Sequence, residues 1–168
     1  MTRKGRFSRE QAQKDLLYVY SKLESYGRIR VCGSFRRGLD AVGDLDIIVT
    51  DNEENAKTIE TGFLHQSIKA MADEILASGQ KLIRIILPSG MQGDFYIAPE
   101  RLFGSHSLFL TGSKQFNILC RGKAKRYGWR LSQYGLLGEN GTEIAVDELE
   151  ILDALGMSEY ANPATRSL

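Results

Sequence analysis

Two aspartates one residue apart, Asp44 and Asp46, are the residues whose type and spacing most directly indicate chemistry. The residues around them are leucine, isoleucine and valine, so a strand is predicted from Leu45 to Val49. Side chains alternate along a strand, and both carboxylates therefore point to the same side. Two adjacent carboxylates repel each other, and a hard divalent cation such as Mg²⁺ or Mn²⁺ removes that repulsion. The pair therefore predicts a metal site.

Groups suited to binding phosphate precede the aspartates. Gly33 and Ser34 follow a short predicted strand, Arg28 to Cys32, and Arg37 comes soon after them. A glycine lets backbone N–H groups approach an anion, a serine adds a hydroxyl donor, and an arginine offers a forked cation that matches phosphate oxygens. Because Mg²⁺ sites commonly combine a few carboxylates with substrate phosphates, this neighbourhood indicates nucleotide chemistry.

The net charge of +1 conceals an uneven distribution of charge along the chain. Residues 1–37 carry ten Lys or Arg and three acids, residues 101–138 carry seven Lys or Arg and no acid, and residues 139–168 carry seven acids and one Arg. Two basic blocks in a nearly neutral protein indicate a polyanionic partner. A solvated surface is the commoner explanation of a charge run, but the absence of acids over residues 101–138 favours nucleic acid.

Length and composition bound the class of protein. The 168 residues suit one domain, or two small subdomains that share a core. Cys32 and Cys120 lie among apolar residues and are predicted to be buried free thiols, and no Cys/His cluster indicates zinc. The sequence has no signal peptide and no apolar run long enough to span a membrane. We therefore expect a soluble, intracellular monomer without membrane contact.

The elements that would position the aspartates begin with a helix. Ser8 and Gln11 form a capping-box pattern, and Gly27 is predicted to end the helix that follows. Residues 51–61 are polar and acidic and are predicted to form a surface loop.

A second helix and a hairpin are predicted next. Apolar spacing predicts the helix over residues 64–76, closed near Gly79, with His65 at its start on the surface. Residues 81–87 and 91–97 are predicted strands, joined by a Pro-Ser-Gly turn.

Pro99 begins a second predicted subdomain. Its predicted elements are a helix over 100–107, a helix over 114–127 capped by Ser113, strands over 129–137 and 142–146, and a last helix capped by Asp147. The predicted apolar stripe of the second of these helices consists of Phe116, Leu119, Cys120 and Tyr127. Its polar face, Lys114, Asn117 and Arg121, is rich in donors and suits contact with bases or phosphates.

Four stretches resemble a known family. GSFRRG (33–38) and GDLDIIV (43–49) look like the nucleotidyltransferase signature of the DNA polymerase beta superfamily. LFLTGSKQFN (108–117) and LSQYGLL (131–137) are similar to motifs of its X-family DNA polymerases. The first two stretches alone would indicate only a broad nucleotidyltransferase, and the other two narrow the family. The resemblance extends from about Arg6 to the end of the sequence.

The resemblance implies a two-metal site. Asp44 and Asp46 match carboxylates that bridge two ions, Mg²⁺ with Mn²⁺ as an alternative. Asp94, which alone would be read as a surface charge in a hairpin, matches the third catalytic carboxylate. It would bind the catalytic metal near the primer 3′-hydroxyl and help to deprotonate it.

The resemblance also implies contacts to the substrates. Ser34, Arg37, the backbone near Gly43 and Arg6 would hold the triphosphate. Gly112 would contact the nucleotide, with Phe109 and Leu110 beside its sugar and Asn117 at its base. The residues that would contact DNA are Lys114, Arg121, Lys123 and Lys125.

The implied fold is α+β. Residues 1–98 would form a nucleotidyltransferase palm, a mixed or antiparallel sheet with helices on one face, and residues 99–168 a small α+β subdomain that selects the nucleotide. The expectation is a minimal form of the family, which would lack a domain that grips downstream DNA. Leu110 replaces the commonest aromatic, and Tyr96 and Gln133 replace an arginine and a glutamate that pair on closure in vertebrate repair enzymes. Sugar discrimination and closure are therefore expected to differ.

The function that these features favour is a template-directed DNA polymerase that uses dNTPs and fills short gaps during repair. The alternative is a template-independent nucleotidyltransferase acting on a nucleic-acid end or a small acceptor, which would share the GSFRRG and GDLDIIV stretches. A catalytically weak nucleic-acid-binding module is less favoured, because all three carboxylates are present.

Overall fold

The computed structural model describes residues 5–51 and 62–168, and the loop predicted over 51–61 lies outside the described residues except for Asp51, which ends a strand. Helices and strands are mixed along the chain, which confirms the α+β class. None of the helices in these two ranges is both long and apolar enough to cross a membrane.

The first part of the chain is built around a five-stranded sheet. The described strands are β1 (Phe7–Ser8), β2 (Ile29–Val31), β3 (Ala41–Val42), β4 (Asp44–Asp51), β5 (Glu74–Ser78), β6 (Leu82–Ile86) and β7 (Gln92–Pro99), and the helices are α1 (Arg9–Leu23), α2 (Gly33–Arg36) and α3 (Phe63–Ala70). The strand order in the sheet is β2-β4-β7-β6-β5. Because β4 and β7 are parallel and the other neighbours are antiparallel, the sheet is mixed. Strands β1 and β3 form a separate two-stranded ladder.

One face of this sheet carries the main core. Its buried side chains, which pack with apolar residues of α1 and α3, are Leu45, Ile47, Val49, Ile83, Ile85 and Phe95. Residues alternate between the two faces of a strand, so Asp44, Asp46 and Asp94 point to the opposite face. The core therefore fixes the strands without occupying the face that carries the carboxylates.

Helix α1 begins as predicted and ends earlier. The Gln11 backbone N–H donates to Ser8 Oγ at 3.2 Å, which confirms the cap, while the Gln11 side chain donates to Asp15 instead of completing a capping box. The helix ends one turn before Gly27. A Cβ at Gly27 would lie 2.1 Å from the Thr50 carbonyl oxygen, so this glycine permits close approach to β4.

The prediction of a helix over residues 64–76 was wrong in its second half. Helix α3 ends at Ala70, and Ile75 and Leu76 belong to the edge strand β5, which pairs antiparallel with β6. Ladder hydrogen bonds to β6 outweigh the helical spacing of these apolar residues. His65, predicted at the surface, is buried, with Nε2 3.2 Å from the Gln80 carbonyl oxygen that satisfies it.

The second part of the chain forms a smaller α+β unit. Its described elements are a 3₁₀ turn (Glu100–Leu102), α4 (Phe103–Thr111), α5 (Lys114–Arg126), β8 (Arg130–Ser132), β9 (Gly135–Leu137), β10 (Glu143–Ala145), α6 (Glu148–Ala154) and two further 3₁₀ turns (Ser158–Tyr160, Pro163–Arg166). The three strands form an antiparallel sheet in the order β10-β9-β8. The core beneath it includes Leu108, Phe116, Cys120, Ala124, Leu136, Ile151, Leu152 and Leu155.

Several predicted boundaries in this part were wrong. Helix α4 continues beyond Ser107, so Phe109 and Leu110 lie on a helix and not in the segment after it. The strand predicted over 129–137 is a hairpin of β8 and β9, because Gly135 has φ 121° and lets the chain reverse before it.

Helices α5 and α6 are capped as predicted, by Ser113 and Asp147. The apolar stripe predicted for α5 is only partly buried, because Leu119 and Tyr127 are exposed. Ala124 is buried instead, since it lies on the same helical face as the other core residues of α5.

Both cysteines are buried free thiols, as predicted. Burial raises the pKa of the Cys32 thiol to about 12 and that of Cys120 to about 11. Neither thiol is therefore ionised at neutral pH, which fits a packing role.

A buried carboxylate joins the two parts of the chain. Glu148 of α6 accepts hydrogen bonds from Arg36 of α2 at 2.8 Å and from Arg166 near the end of the sequence. Arg30 of β2 is 3.5 Å away. Arg36 also donates to Thr111 Oγ1 at 2.8 Å. Because Glu148 and Arg166 are almost fully buried, this cluster is screened little by water.

We predict that Glu148→Ala lowers the free energy of unfolding by about 3–5 kcal/mol, because it leaves buried guanidinium groups without a counter-ion. The control is Glu143→Ala, which removes an exposed ion pair with Arg101 and should cost less than about 1 kcal/mol. Urea unfolding of both variants measures the difference. Equal midpoints for the two variants would show that the cluster does not hold the two parts together.

Candidate active site

The three predicted catalytic aspartates lie on neighbouring strands. Asp46 on β4 is directly opposite Asp94 on β7, and Asp44 is opposite Gln92. Residues directly opposite each other on neighbouring strands have Cβ atoms about 5 Å apart. Because the side chains alternate along each strand, all three carboxylates share the face turned away from the main core. The sheet register therefore brings Asp94 beside Asp46.

Asp94 is buried and held by two donors, Arg84 and Gln92. Arg84 Nε donates to Oδ1 at 2.9 Å and Nη2 donates to Oδ2 at 3.0 Å, while the Gln92 amide donates to Oδ1 at 2.8 Å. The hydrogen bond and charge of Asp94 raise the pKa of Arg84 above its ordinary value. The motifs did not reveal Arg84. In the sequence, Arg84 stands out only as a single charged residue in an apolar strand. The β6–β7 register is what places it opposite Asp94.

The donor chemistry of Asp44 and Asp46 suits a divalent cation. Both carboxylates line one cleft, and Asp46 lies so close to Gly33 that a Cβ there would be 2.5 Å from Oδ2. Within residues 5–51 and 62–168, no three carboxylate, imidazole or thiol groups converge closely enough to hold a metal ion. Two carboxylates with substrate phosphates are a donor set that Mg²⁺ uses. The residues therefore fit Mg²⁺, with Asp94 as a nearby third carboxylate that Arg84 still engages.

Tyr96 follows Asp94 on the same face of β7. Burial, and then the charges of Asp46 and Asp94, raise the pKa of its phenol to about 12. The hydroxyl therefore stays neutral at physiological pH and adds no charge beside the carboxylates.

A cleft of about 460 Å³ lies between the two parts of the chain. The first part contributes Gly33, Ser34, Arg37, Asp44 and Asp46, and the second part contributes Phe109, Leu110, Gly112, Ser113, Lys114, Asn117 and Arg121. Most of the predicted nucleotide-binding residues thus meet two of the predicted metal ligands in one cavity. Residues 63 or more positions apart in the sequence form its opposite walls, which explains why the pattern alone could not give its shape.

Arg37 is held at the wall of this cleft by the second part of the chain. Its Nη1 donates to the Thr111 carbonyl oxygen at 2.6 Å and its Nε donates to Ser167 Oγ at 3.1 Å. Burial lowers the pKa of Arg37 below its ordinary value, and the nearby charge of Asp46 opposes that effect. Ser167 was not predicted as a site residue, because no motif marks it.

The exposed face of α5 continues the cleft towards a smaller groove. Asn117 Nδ2 donates to the Phe109 carbonyl oxygen at 2.8 Å, which ties α5 to the end of α4. Arg121 Nε donates to the Asn117 carbonyl oxygen at 3.3 Å. These three residues line both cavities, so the cleft and the groove adjoin along α5.

Five predicted site residues do not line the cleft, and they are Arg6, Gly43, Asp94, Lys123 and Lys125. Arg6 immediately precedes β1, whose pairing of Phe7 with Val42 directs it towards Gly43 at the start of β4. Lys123 donates to the Gly156 carbonyl oxygen at 3.4 Å, and Lys125 is exposed in the last turn of α5. The register of β1 and β3 thus places Arg6 beside Gly43, while the two lysines lie farther along α5.

Comparison with known families gives two matches, one after the other along the chain. The family model described as DNA polymerase beta palm matches residues 6–84, and the one described as DNA polymerase beta thumb matches residues 107–167. The two matches together cover most of the chain and lie on its two structural parts.

Two polymerases are similar in sequence. The DNA polymerase/3′-5′ exonuclease PolX of Bacillus subtilis is 36% identical over 107 residues, which are 62% of this chain and 18% of that protein. DNA polymerase lambda of Rattus norvegicus is 30% identical over 120 residues, again 62% of this chain and 21% of that protein. The chain therefore spans about a fifth of the length of either relative.

Solved structures of Leishmania infantum polymerase beta share the fold. Its ternary gap complex matches 98% of this chain and 71% of that chain with a TM-score of 0.84 at 21% identity. Its ternary P/T complex gives a TM-score of 0.83 at 21% identity, over 98% and 77% of the two chains. These structures show that the fold is shared. The palm and thumb matches, which together span most of the chain, and the two similar polymerases show that the chain belongs to the X family of DNA polymerases.

Proposed function

We propose that the chain is a template-directed DNA polymerase that adds dNTPs to a primer 3′-hydroxyl. The observation that carries the proposal is the shared cleft. Asp44, Asp46 and Arg37 line one wall, and Asn117 and Arg121 line the opposite wall. Carboxylates, phosphate-binding groups and a donor-rich helix face are together what nucleotidyl transfer on a template requires.

In the proposed reaction the primer 3′-oxygen attacks the α-phosphorus of the dNTP. The new P–O bond forms as the bond to the α–β bridging oxygen breaks, pyrophosphate leaves, and Asp94 accepts the proton of the hydroxyl. Two Mg²⁺ ions, for which Mn²⁺ could substitute, would be held by Asp44 and Asp46 with Asp94 and would neutralise charge on the attacking and leaving oxygens.

The triphosphate is proposed to lie along the first wall of the cleft. Ser34 would donate its hydroxyl and Arg37 its forked guanidinium, while Arg6 and the backbone at Gly43 would complete the charge neutralisation near the start of β4. Thr111 and Ser167 hold Arg37 in place, so its orientation is fixed before a substrate arrives.

The second wall is proposed to select the nucleotide and read the template. Phe109, Leu110 and Gly112 would lie beside the sugar, and Asn117 at the edge of the incoming base. Lys114, Arg121, Lys123 and Lys125 lie along α5 and would contact DNA, because residues 101–138 carry no acid to oppose the phosphates. Short gap filling is proposed because the similar Leishmania infantum structures include a gap complex.

We predict that Asp46→Asn lowers single-turnover dNTP incorporation by at least about a hundredfold, because it removes a carboxylate from the reacting centre. The matched control is Asp73→Asn, an exposed carboxylate outside the cleft, which should extend primers like the wild type. Each dNTP is tested singly on a gapped duplex, on a primer–template and on a bare single strand.

The same assay distinguishes the alternatives. Incorporation of only the complementary dNTP supports the proposal. Extension of the bare strand by every dNTP would instead indicate a template-independent nucleotidyltransferase, and no extension on any substrate would indicate a binding module.

We predict that Arg121→Ala lowers insertion of the correct dNTP by roughly ten- to a hundredfold, since a template contact contributes about 1–3 kcal/mol. The ratio of correct to incorrect insertion should also change. Single-turnover insertion opposite each template base measures both quantities, with Arg101→Ala, an exposed arginine paired with Glu143, as the control. Efficiency and base choice that both stay within twofold would exclude α5 as the template-reading element.

A further inference from the structure

We infer that Arg84 and Gln92 are positioning residues with opposite roles towards Asp94. Gln92 orients the carboxylate at all times, whereas Arg84 is a counter-ion that a divalent cation must displace before Asp94 can serve as its ligand. The inference rests on the proposed function, because it concerns the third carboxylate of that site.

The hydrogen bonds to Asp94 are distributed unevenly between its two oxygens. Oδ1 accepts from both Arg84 Nε at 2.9 Å and Gln92 Nε2 at 2.8 Å, whereas Oδ2 accepts from Arg84 Nη2 at 3.0 Å. If the guanidinium leaves, Oδ1 keeps a donor and Oδ2 is released. The carboxylate then stays oriented while one oxygen becomes available to a metal.

The two donors also differ in how freely they can move. The Arg84 side chain is 39% exposed and reaches Asp94 from the neighbouring strand β6, so its guanidinium can turn into solvent. Gln92 lies two residues from Asp94 on β7, on the same face, and its backbone is fixed between β4 and β6. Arg84 is therefore the partner that can leave, and Gln92 is the partner that remains.

The sheet register brings the three aspartates together, yet no three ligand groups in the described ranges converge on a metal position. The hydrogen bonds from Arg84 to Asp94 account for this difference. A guanidinium that engages both oxygens of a carboxylate takes one lone pair of each and places a positive charge beside them, which opposes the approach of a metal ion. A doubly charged ion held by Asp44 and Asp46 competes with that single positive charge. The resting site thus keeps the buried Asp94 neutralised until the ion replaces Arg84.

This assignment predicts shifts of opposite sign in metal affinity. Arg84→Ala should bind Mn²⁺ about three- to tenfold more tightly, because a partly exposed competitor has been removed. Arg84→Lys, which cannot engage both oxygens, should fall between this variant and the wild type. Gln92→Ala should bind Mn²⁺ about tenfold more weakly, because loss of an orienting partner weakens a metal ligand.

The measurement is Mn²⁺ titration of the DNA-free protein, with unbound Mn²⁺ followed by electron paramagnetic resonance and folding checked by thermal unfolding. Arg101→Ala, which breaks the exposed pair with Glu143, is the matched control and should leave Mn²⁺ affinity unchanged. In primer extension, Arg84→Ala should also reach half-maximal rate at a lower Mg²⁺ concentration. If Arg84→Ala does not fold, Arg84→Lys tests the same prediction, which is tighter Mn²⁺ binding than that of the wild type.

Unchanged or weaker Mn²⁺ binding by the Arg84 variants would overturn the inference, as would unchanged binding by Gln92→Ala. The proposed function fails separately, if Asp46→Asn extends primers like the wild type. An inactive Asp46→Asn together with unshifted Arg84 variants would leave the polymerase proposal standing and remove only the role of Arg84.

Discussion

The site depends on the buried interaction between Glu148 and the arginines around it. Arg36 ends the short helix that also carries Ser34 and leads into Arg37, while Arg166 is followed by Ser167, which holds Arg37. The Glu148 carboxylate on α6 therefore links the segments that position Ser34 and Arg37 in the cleft. Breaking a buried pair leaves an uncompensated charge, which makes this position far less tolerant than the exposed ion pairs of the surface.

The two parts of the chain divide the work that the proposed nucleotidyl transfer would require. The five-stranded sheet uses one face for its core and the other for Asp44, Asp46 and Asp94, so strand register sets the spacing of the carboxylates. The α4–α5 corner carries the residues proposed to recognise sugar, base and template. Because Asn117 ties α5 to Phe109 of α4, the recognition face is positioned by the same segment that closes the cleft.

Local signals in the sequence predicted much of this arrangement. The strand at Asp44 and Asp46, the caps at Ser8 and Ser113 and the mixed fold follow from neighbouring residues, and the structure has them. Predictions failed where strand pairing decides the structure. Strand β5 stands where the end of a helix was predicted, because its backbone pairs with β6 across a turn. Only the family resemblance singled out Asp94 as a candidate, and no local pattern could show that Arg84 engages it, since that contact depends on register.

The cleft between the two parts of the chain is proposed to be the nucleotide site. The measurement is equilibrium binding of Mg²⁺·dNTP to the protein on a dideoxy-terminated primer–template, with Arg37→Ala from one wall and Asn117→Ala from the other. Arg37→Ala is predicted to raise the Kd by about tenfold, as loss of a charged phosphate contact would, and Asn117→Ala by a smaller factor, as loss of a hydrogen bond to the base would. Lys14→Ala, on α1 and paired with Glu10, should not change it. Wall variants that bind the nucleotide as tightly as Lys14→Ala does would show that the nucleotide does not bind in this cleft.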